Sequence, residues 1–285
     1  MAAMPQFDLS LRLGLGCSRL GSVMGATGPE AKRLLATALE EGVRFFDTSS
    51  IYAQGDSERL LGAVLGQRKD CIICTKVGQH LPLQMQALAP FKGLVRMAVS
   101  QSAGVRQIVA QARDKPVPTN WDVSFLTQGI ESSLRRLNRD HIEIMMLHGA
   151  PAEVLSARKA VGALEAARRA GKIGIVGVSV DDVAAAMEAL DDDRVGALQI
   201  PLLPGDDRFD RVLDRASERG VAIVAREILG GKRAISGAVD PTGFAASRIA
   251  ELITRNDIAV VLAGTTTKSH LREAASAARQ AVPAV

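Results

Sequence analysis

Aromatic residues are scarce in this 285-residue chain. They make up 3% of it, with one tyrosine and one tryptophan. So little aromatic surface argues against a platform for stacking bases. The net charge of +4 is spread along the chain without a dense Lys/Arg tract, so nucleic acid is not an expected partner. No apolar run reaches the ~18 residues of a membrane-crossing helix. The start, Met-Ala-Ala-Met-Pro-Gln, has neither a basic segment nor an apolar core, and the cysteines are three, an odd number. These features predict a soluble, reduced, cytoplasmic protein with no membrane partner. Cys71 and Cys74 spell C-x-x-C, but inside an apolar strand, where residues three apart face opposite sides. They are expected as separate core thiols. Asp191-Asp192-Asp193 lacks metal-ligand spacing and is expected as a solvated turn, so no metal is foreseen. No G-x-G-x-x-G opens a helix after a strand, so a Rossmann cofactor site is not expected.

What is present is alternation. Short apolar runs at 11–16, 43–46, 71–75, 142–147, 173–179, 197–200, 221–225 and 258–263 read as strands. Between them lie helical stretches at 29–41, 57–65, about 122–137, 152–170, 181–190, 207–219, 243–255 and 267–278. Pro29 suits a first helical turn, and Gly42, Gly66 and Gly171 suit stops. Strict alternation argues a parallel sheet, and eight repeats argue a single-domain α/β fold over 1–285, a closed (β/α)8 TIM barrel. A long loop is expected at about 79–120. It carries Pro82, Pro90, Pro116 and Pro118, a short helix at 105–113, and a cluster of bases suited to a lid over the pocket mouth.

The stretch Phe45-Phe46-Asp47-Thr48-Ser49-Ser50-Ile51-Tyr52 passes from apolar to polar within one residue, as a buried strand does on entering an active-site loop. Asp47 stands at that strand's end, and Tyr52 follows in the loop. Lys76 and His148 close the next two strands. Active sites of such barrels lie where strands end. A cation beside a phenol favours the phenolate, so Lys76 is expected to depress the Tyr52 pKa, with Asp47 holding the lysine.

This constellation resembles the catalytic tetrad of the aldo-keto reductases. Leu13-Gly14-Leu15-Gly16, Gly55-Asp56-Ser57-Glu58, Thr75-Lys76-Val77-Gly78, Gly174-Ile175-Val176-Gly177-Val178-Ser179 and Leu262-Ala263-Gly264-Thr265-Thr266 extend the likeness over nearly the whole chain. The resemblance implies an NADP(H)-dependent oxidoreductase, with NAD(H) as the lesser option, that moves a hydride between the nicotinamide and a small carbonyl or alcohol substrate, sugars included. Tyr52 would be the general acid/base and His148 would orient the carbonyl. It further implies cofactor contacts from Gly16, Cys17, Arg19, Asp47, Ser179, Gln199, Arg226, Leu229, Gly264, Thr265, Thr266, Lys268 and Arg272. Cations at Lys268, His270 and Arg272 open a helix against its dipole, which makes sense if a phosphate binds there. Two positions depart from the family pattern. Val180 stands where an asparagine usually helps hold the carboxamide, and Glu227 brings an acid toward the pyrophosphate. The alternative implied by the resemblance is a regulatory nicotinamide-binding subunit like the β subunits of potassium channels.

Overall fold

The structure is a computed structural model that describes residues 11–82, 92–113, 116–231 and 240–281. Its strands are β1 (Leu13–Gly16), β2 (Phe45–Asp47), β3 (Ile72–Val77), β4 (Ile142–His148), β5 (Ile173–Ser179), β6 (Ala197–Pro201), β7 (Ala222–Arg226) and β8 (Val260–Ala263). They pair in parallel in chain order, and β8 closes on β1. β3, β4, β6 and β7 run a residue or two beyond the expected ends, so Lys76 and His148 lie within strands rather than past them.

Side chains alternate across each strand. One set, including Phe45, Ile72, Cys74, Ile144, Met146, Ala197, Val224 and Leu262, fills the barrel interior. The other set, including Leu15, Phe46, Ile73, Met145, Val178 and Val261, joins the larger core between strands and helices. Cys71 and Cys74 fall into these two different clusters, as the strand period predicts. Gly14 takes an interior position because a Cβ there would lie 2.7 Å from Leu262 and 2.8 Å from Phe45. Its missing side chain is the room those two occupy.

The helices are α1 (Gly28–Glu40), α2 (Asp56–Leu65), α3 (Lys92–Gln101), α4 (Ala103–Arg113), α5 (Val123–Leu137), α6 (Ala152–Ser156), α7 (Lys159–Arg169), α8 (Val183–Leu190), α9 (Asp210–Arg219), α10 (Pro241–Thr254) and α11 (Lys268–Ala281). α1 starts in a capping box between Thr27 and Glu30 and buries Ala31, Leu34, Leu35 and Ala38, one helical stripe. Among the described residues no helix is long and apolar enough to cross a membrane, and no His/Cys/Asp/Glu group is placed to hold a metal.

Three expectations change. The long loop at 79–120 holds the helix expected at 105–113 as α4 and, before it, a further helix, α3, which was not expected and buries only Val99. The helix expected at 152–170 is two, because Arg158 turns left-handed at φ 58° and is held there through Arg194 and Asp191. Asp191-Asp192-Asp193 is the turn expected, with Asp191 and Asp193 exposed, but the middle carboxylate departs from it: Asp192 is buried and pairs with Arg194.

Candidate active site

Continuing the interior register toward the C-terminal ends of the strands changes its chemistry. Two residues beyond Phe45, Cys74, Met146, Gly177, Ala197 and Val224 stand Asp47, Lys76, His148, Ser179, Gln199 and Arg226. The period that packs the barrel therefore aims these six side chains at one end of it. Lys76 is 1% exposed, and a buried ammonium needs partners. Its Nζ donates to Asp47 Oδ1 at 2.5 Å and to the Thr48 carbonyl at 2.8 Å. The same Oδ1 accepts from Gln199 Nε2 at 2.8 Å, and Ser179 Oγ donates to Gln199 Oε1 at 2.9 Å. Burial disfavours the Lys76 ammonium, yet Asp47, Tyr52 and Cys74 together hold its pKa above the usual lysine value. It remains charged at any working pH.

Tyr52 opens a short 3-10 turn, Tyr52–Gly55, in which Ala53, Gln54 and Gly55 are all left-handed, at φ 49°, 60° and 84°. Such a run costs energy at the non-glycine positions and is held from several sides. Tyr52 N–H donates to the Ser49 carbonyl at 3.1 Å, and Lys92 of α3 reaches the Ala53 carbonyl and, at 2.6 Å, Asp56. The strand end beneath is pinned too. Thr48 and Ser57 share a 2.8 Å hydrogen bond, Ser57 Oγ donates to the Cys17 carbonyl, and buried Glu58 accepts from Thr75 and Arg136. Lys76 Nζ lies 5.4 Å from the centre of the Tyr52 ring, and the His148 ring stands edge-on to it at 5.8 Å.

The expected depression of the Tyr52 pKa is overturned. Burial pushes the phenol up, and the opposing pull of Lys76 does not overcome it. Desolvation outweighs one cation already shared with Asp47. His148 is held well below the usual imidazole value by burial first, then Lys76 and Arg226, and is neutral. Its Nδ1 lies 2.9 Å from Ser49 Oγ.

Tyr52, Gln79, His148, Gly149, Ser179, Asp181, Gln199, Arg226 and Glu227 line a cavity of about 230 Å³. Arg226 pairs with Asp181 and with left-handed Glu227, and donates to the Val180 carbonyl at 2.9 Å. The Glu227 charge is thereby matched. The Val180 side chain is buried in the outer core and offers the cavity nothing. Of the described residues in 79–120, Gln79 reaches this cavity. Lys92, Gly93 and Arg96 instead line another beside α1 and α2, so α3 does not cover this cavity; positions 83–91 and 114–115 of the expected lid lie outside the described residues.

The remaining expected residues spread around the β1 and β8 rim. Gly16 lies beside Gly264, Cys17 is buried with its N–H on the Asp47 carbonyl, and Arg19 is tied to the Met24 carbonyl. Leu229 packs on the outer core. Gly264 has open space where a side chain would be, and Thr265 Oγ1 accepts the Thr267 N–H ahead of α11. Lys268 is exposed and has no ion pair among the described residues, whereas Arg272 lies 3.4 Å from Glu41. Ser49, Gln79 and Asp181 are site residues that carry no motif of their own in the sequence.

The profile of the aldo/keto reductase family matches residues 12–243, and the chain belongs to that family. It is 24% identical over 222 residues to an uncharacterised oxidoreductase of Bacillus subtilis, covering 77% of this chain and 60% of that protein. It is 24% identical over 226 residues to an NADP(+) aldo-keto reductase of Schizosaccharomyces pombe, covering 76% and 58%. A 6-dehydroglucose reductase of Novosphingobium aromaticivorans is 28% identical over 226 residues, covering 74% and 63%. The chain thus spans roughly three-fifths of the length of these relatives. Among solved structures, the holo form of an aldo-keto reductase from Bacillus halodurans superposes with a TM-score of 0.72 at 20% identity, over 96% of this chain and 88% of that one. An aldo-keto reductase of Klebsiella pneumoniae in complex with NADPH gives 0.68 at 17% identity, over 94% and 85%. These two likenesses bear on the fold.

Proposed function

We propose that the chain is an NADP(H)-dependent oxidoreductase that interconverts a small aldehyde, ketone or sugar carbonyl with its alcohol, using Tyr52 as the proton donor and acceptor. The observation that carries this reading is the Lys76 ammonium, buried between the Asp47 carboxylate and the Tyr52 ring with a neutral His148 across the cavity. A buried ion pair is costly to keep unless it serves something. Here it provides a fixed positive charge beside a phenol, which stabilises the phenolate left when Tyr52 gives its proton to a forming alkoxide.

The rim residues fit a phosphorylated dinucleotide. Gly264 leaves open space at the end of β8, Thr265 and Thr266 follow it, and the first turn of α11 carries Lys268 and no acid. Gly16, Gly264, Thr265, Thr266, Lys268 and Arg272 would hold the phosphates, and Ser179, Gln199 and Arg226 would face the nicotinamide end. Bound there, the nicotinamide supplies the hydride. Tyr52 and His148 would hold the carbonyl oxygen, and Asp47 would keep Lys76 in place. Support for NADP(H) comes from the Schizosaccharomyces relative and the Klebsiella complex, each described with it. The 6-dehydroglucose reductase similarity supports sugars among the substrates.

The test is NADPH oxidation across aldehydes, ketones and aldoses. Wild-type protein should turn over part of the panel. Tyr52→Phe should lose about 10²–10⁴-fold in rate while binding NADPH nearly as well. Full activity in Tyr52→Phe would move the proton donor elsewhere. Tight NADPH binding without turnover by wild type would favour a regulatory nicotinamide-binding subunit.

A further inference from the structure

We propose that Ser49 is a positioning residue that fixes the tautomer of His148, putting the imidazole proton on Nε2 and aiming it into the cavity where the substrate carbonyl oxygen would sit. The proposal rests on the oxidoreductase reading above. Ser49 is fully buried at the entry to the Tyr52 turn. Its Oγ lies 2.9 Å from His148 Nδ1 and receives the Ile51 N–H at a longer 3.5 Å. A hydroxyl has one proton to give and two lone pairs to offer. The Ile51 N–H can only be a donor, so it takes a lone pair. The hydroxyl proton then has one acceptor among the described residues, His148 Nδ1.

Nδ1 accepts only when it carries no proton, which leaves the proton of the neutral ring on Nε2. The charges around the ring agree with a neutral imidazole. Lys76 and Arg226 face it, and both oppose a third positive charge beside them. Nε2 has no protein partner among the described residues, and His148 lines the cavity together with Tyr52. The opposite tautomer would present a lone pair to the carbonyl oxygen and repel it. The Ser49 carbonyl also accepts the Tyr52 N–H at 3.1 Å. One residue therefore anchors both donors: Tyr52 through its backbone and His148 through its hydroxyl. The pair converges as an oxyanion site does, with donors fixed before charge develops.

Imidazole nitrogen NMR on the whole chain tests this. Its four histidines are few enough to assign His148 by the signal lost in His148→Gln. Wild type should show His148 as the neutral ring protonated on Nε2, with and without NADPH. Ser49→Ala should give a mixture of tautomers and about a tenfold lower kcat for carbonyl reduction, the order of one lost hydrogen bond, with NADPH affinity unchanged. Ser49→Thr, which returns a hydroxyl, should restore the wild-type tautomer and most of the rate. A wild-type His148 protonated on Nδ1 would overturn the proposal whether or not either variant folds. So would a Ser49→Ala protein with the wild-type tautomer and rate. If wild type reduces no carbonyl compound yet His148 carries its proton on Nε2, the oxidoreductase reading falls and the Ser49–His148 assignment stands.

Discussion

At the level of single residues, the site is a contest between burial and charge, decided differently for each group. Lys76 keeps its proton because Asp47, Tyr52 and Cys74 together outweigh desolvation; Tyr52 keeps its proton because desolvation outweighs Lys76. Tyr52 is therefore a protonated phenol at neutral pH, poised to donate. As the only tyrosine, it can be titrated by phenolate absorbance after subtracting Trp121. Its midpoint should lie above the usual value of about 10, and Lys76→Met should raise it further by removing the pull downward. A midpoint below that of a free phenol would mean that the cation dominates after all. The sign carries into the rates. Carbonyl reduction uses the protonated phenol and should hold level through neutral pH, whereas alcohol oxidation uses the phenolate and should climb as pH rises. His148, held neutral, should add no limb near the usual imidazole value of about 6.5. The positions of Asp47, Lys76 and His148 were legible in sequence because each ends an apolar run at the interior parity. The direction of the Tyr52 shift was not, because it turns on depth and distance, which spacing does not encode. Ser49 was not legible either: a serine in a polar loop carries no pattern until its hydroxyl is seen against an imidazole.

At the level of elements, the strands were readable and the connections less so. Apolar runs of strand length, each followed by an amphipathic stretch, hold one reading as βα units. α4 was foreseen as a short helix at 105–113, but α3 was not, and the break at Arg158 escapes because its cause is a contact with Arg194, distant in sequence. The turn after β3 shows how much an element end can depend on one atom. Gly78 has φ 108°, and a Cβ there would fall 2.2 Å from the Trp121 ring ahead of α5. Both the dihedral and the space exclude a side chain. Gly78→Ala should cost about 2–3 kcal/mol in urea unfolding, shift the Trp121 emission, and lower turnover by disturbing Lys76 two residues upstream. Unchanged stability would show that the ring has room to move aside.

At the level of the whole molecule, eight βα alternations announced the barrel, but not what locks its seam. Arg12, left-handed at φ 48°, donates to the carbonyls of Ile253 at 2.8 Å, Arg255 at 2.6 Å and also Ile258, while its own carbonyl accepts from Val261. It ties the end of α10 and the start of β8 to β1, on the face opposite the site. Arg12→Ala strands three acceptors and should lower unfolding free energy by about 2–3 kcal/mol, leaving kcat at low temperature unchanged. A fall in kcat without loss of stability would contradict this division between faces. The three unbridged cysteines add a different kind of consequence. Cys74 sits inside the barrel, Cys71 between barrel and helices, and Cys17 behind the β1 rim; all are buried, and burial pushes each thiol pKa up. Alkylating reagents attack thiolates they can reach, so each cysteine stays silent until its own layer opens. The order in which the three become labelled would read out, without any added probe, which layer of the molecule breathes first.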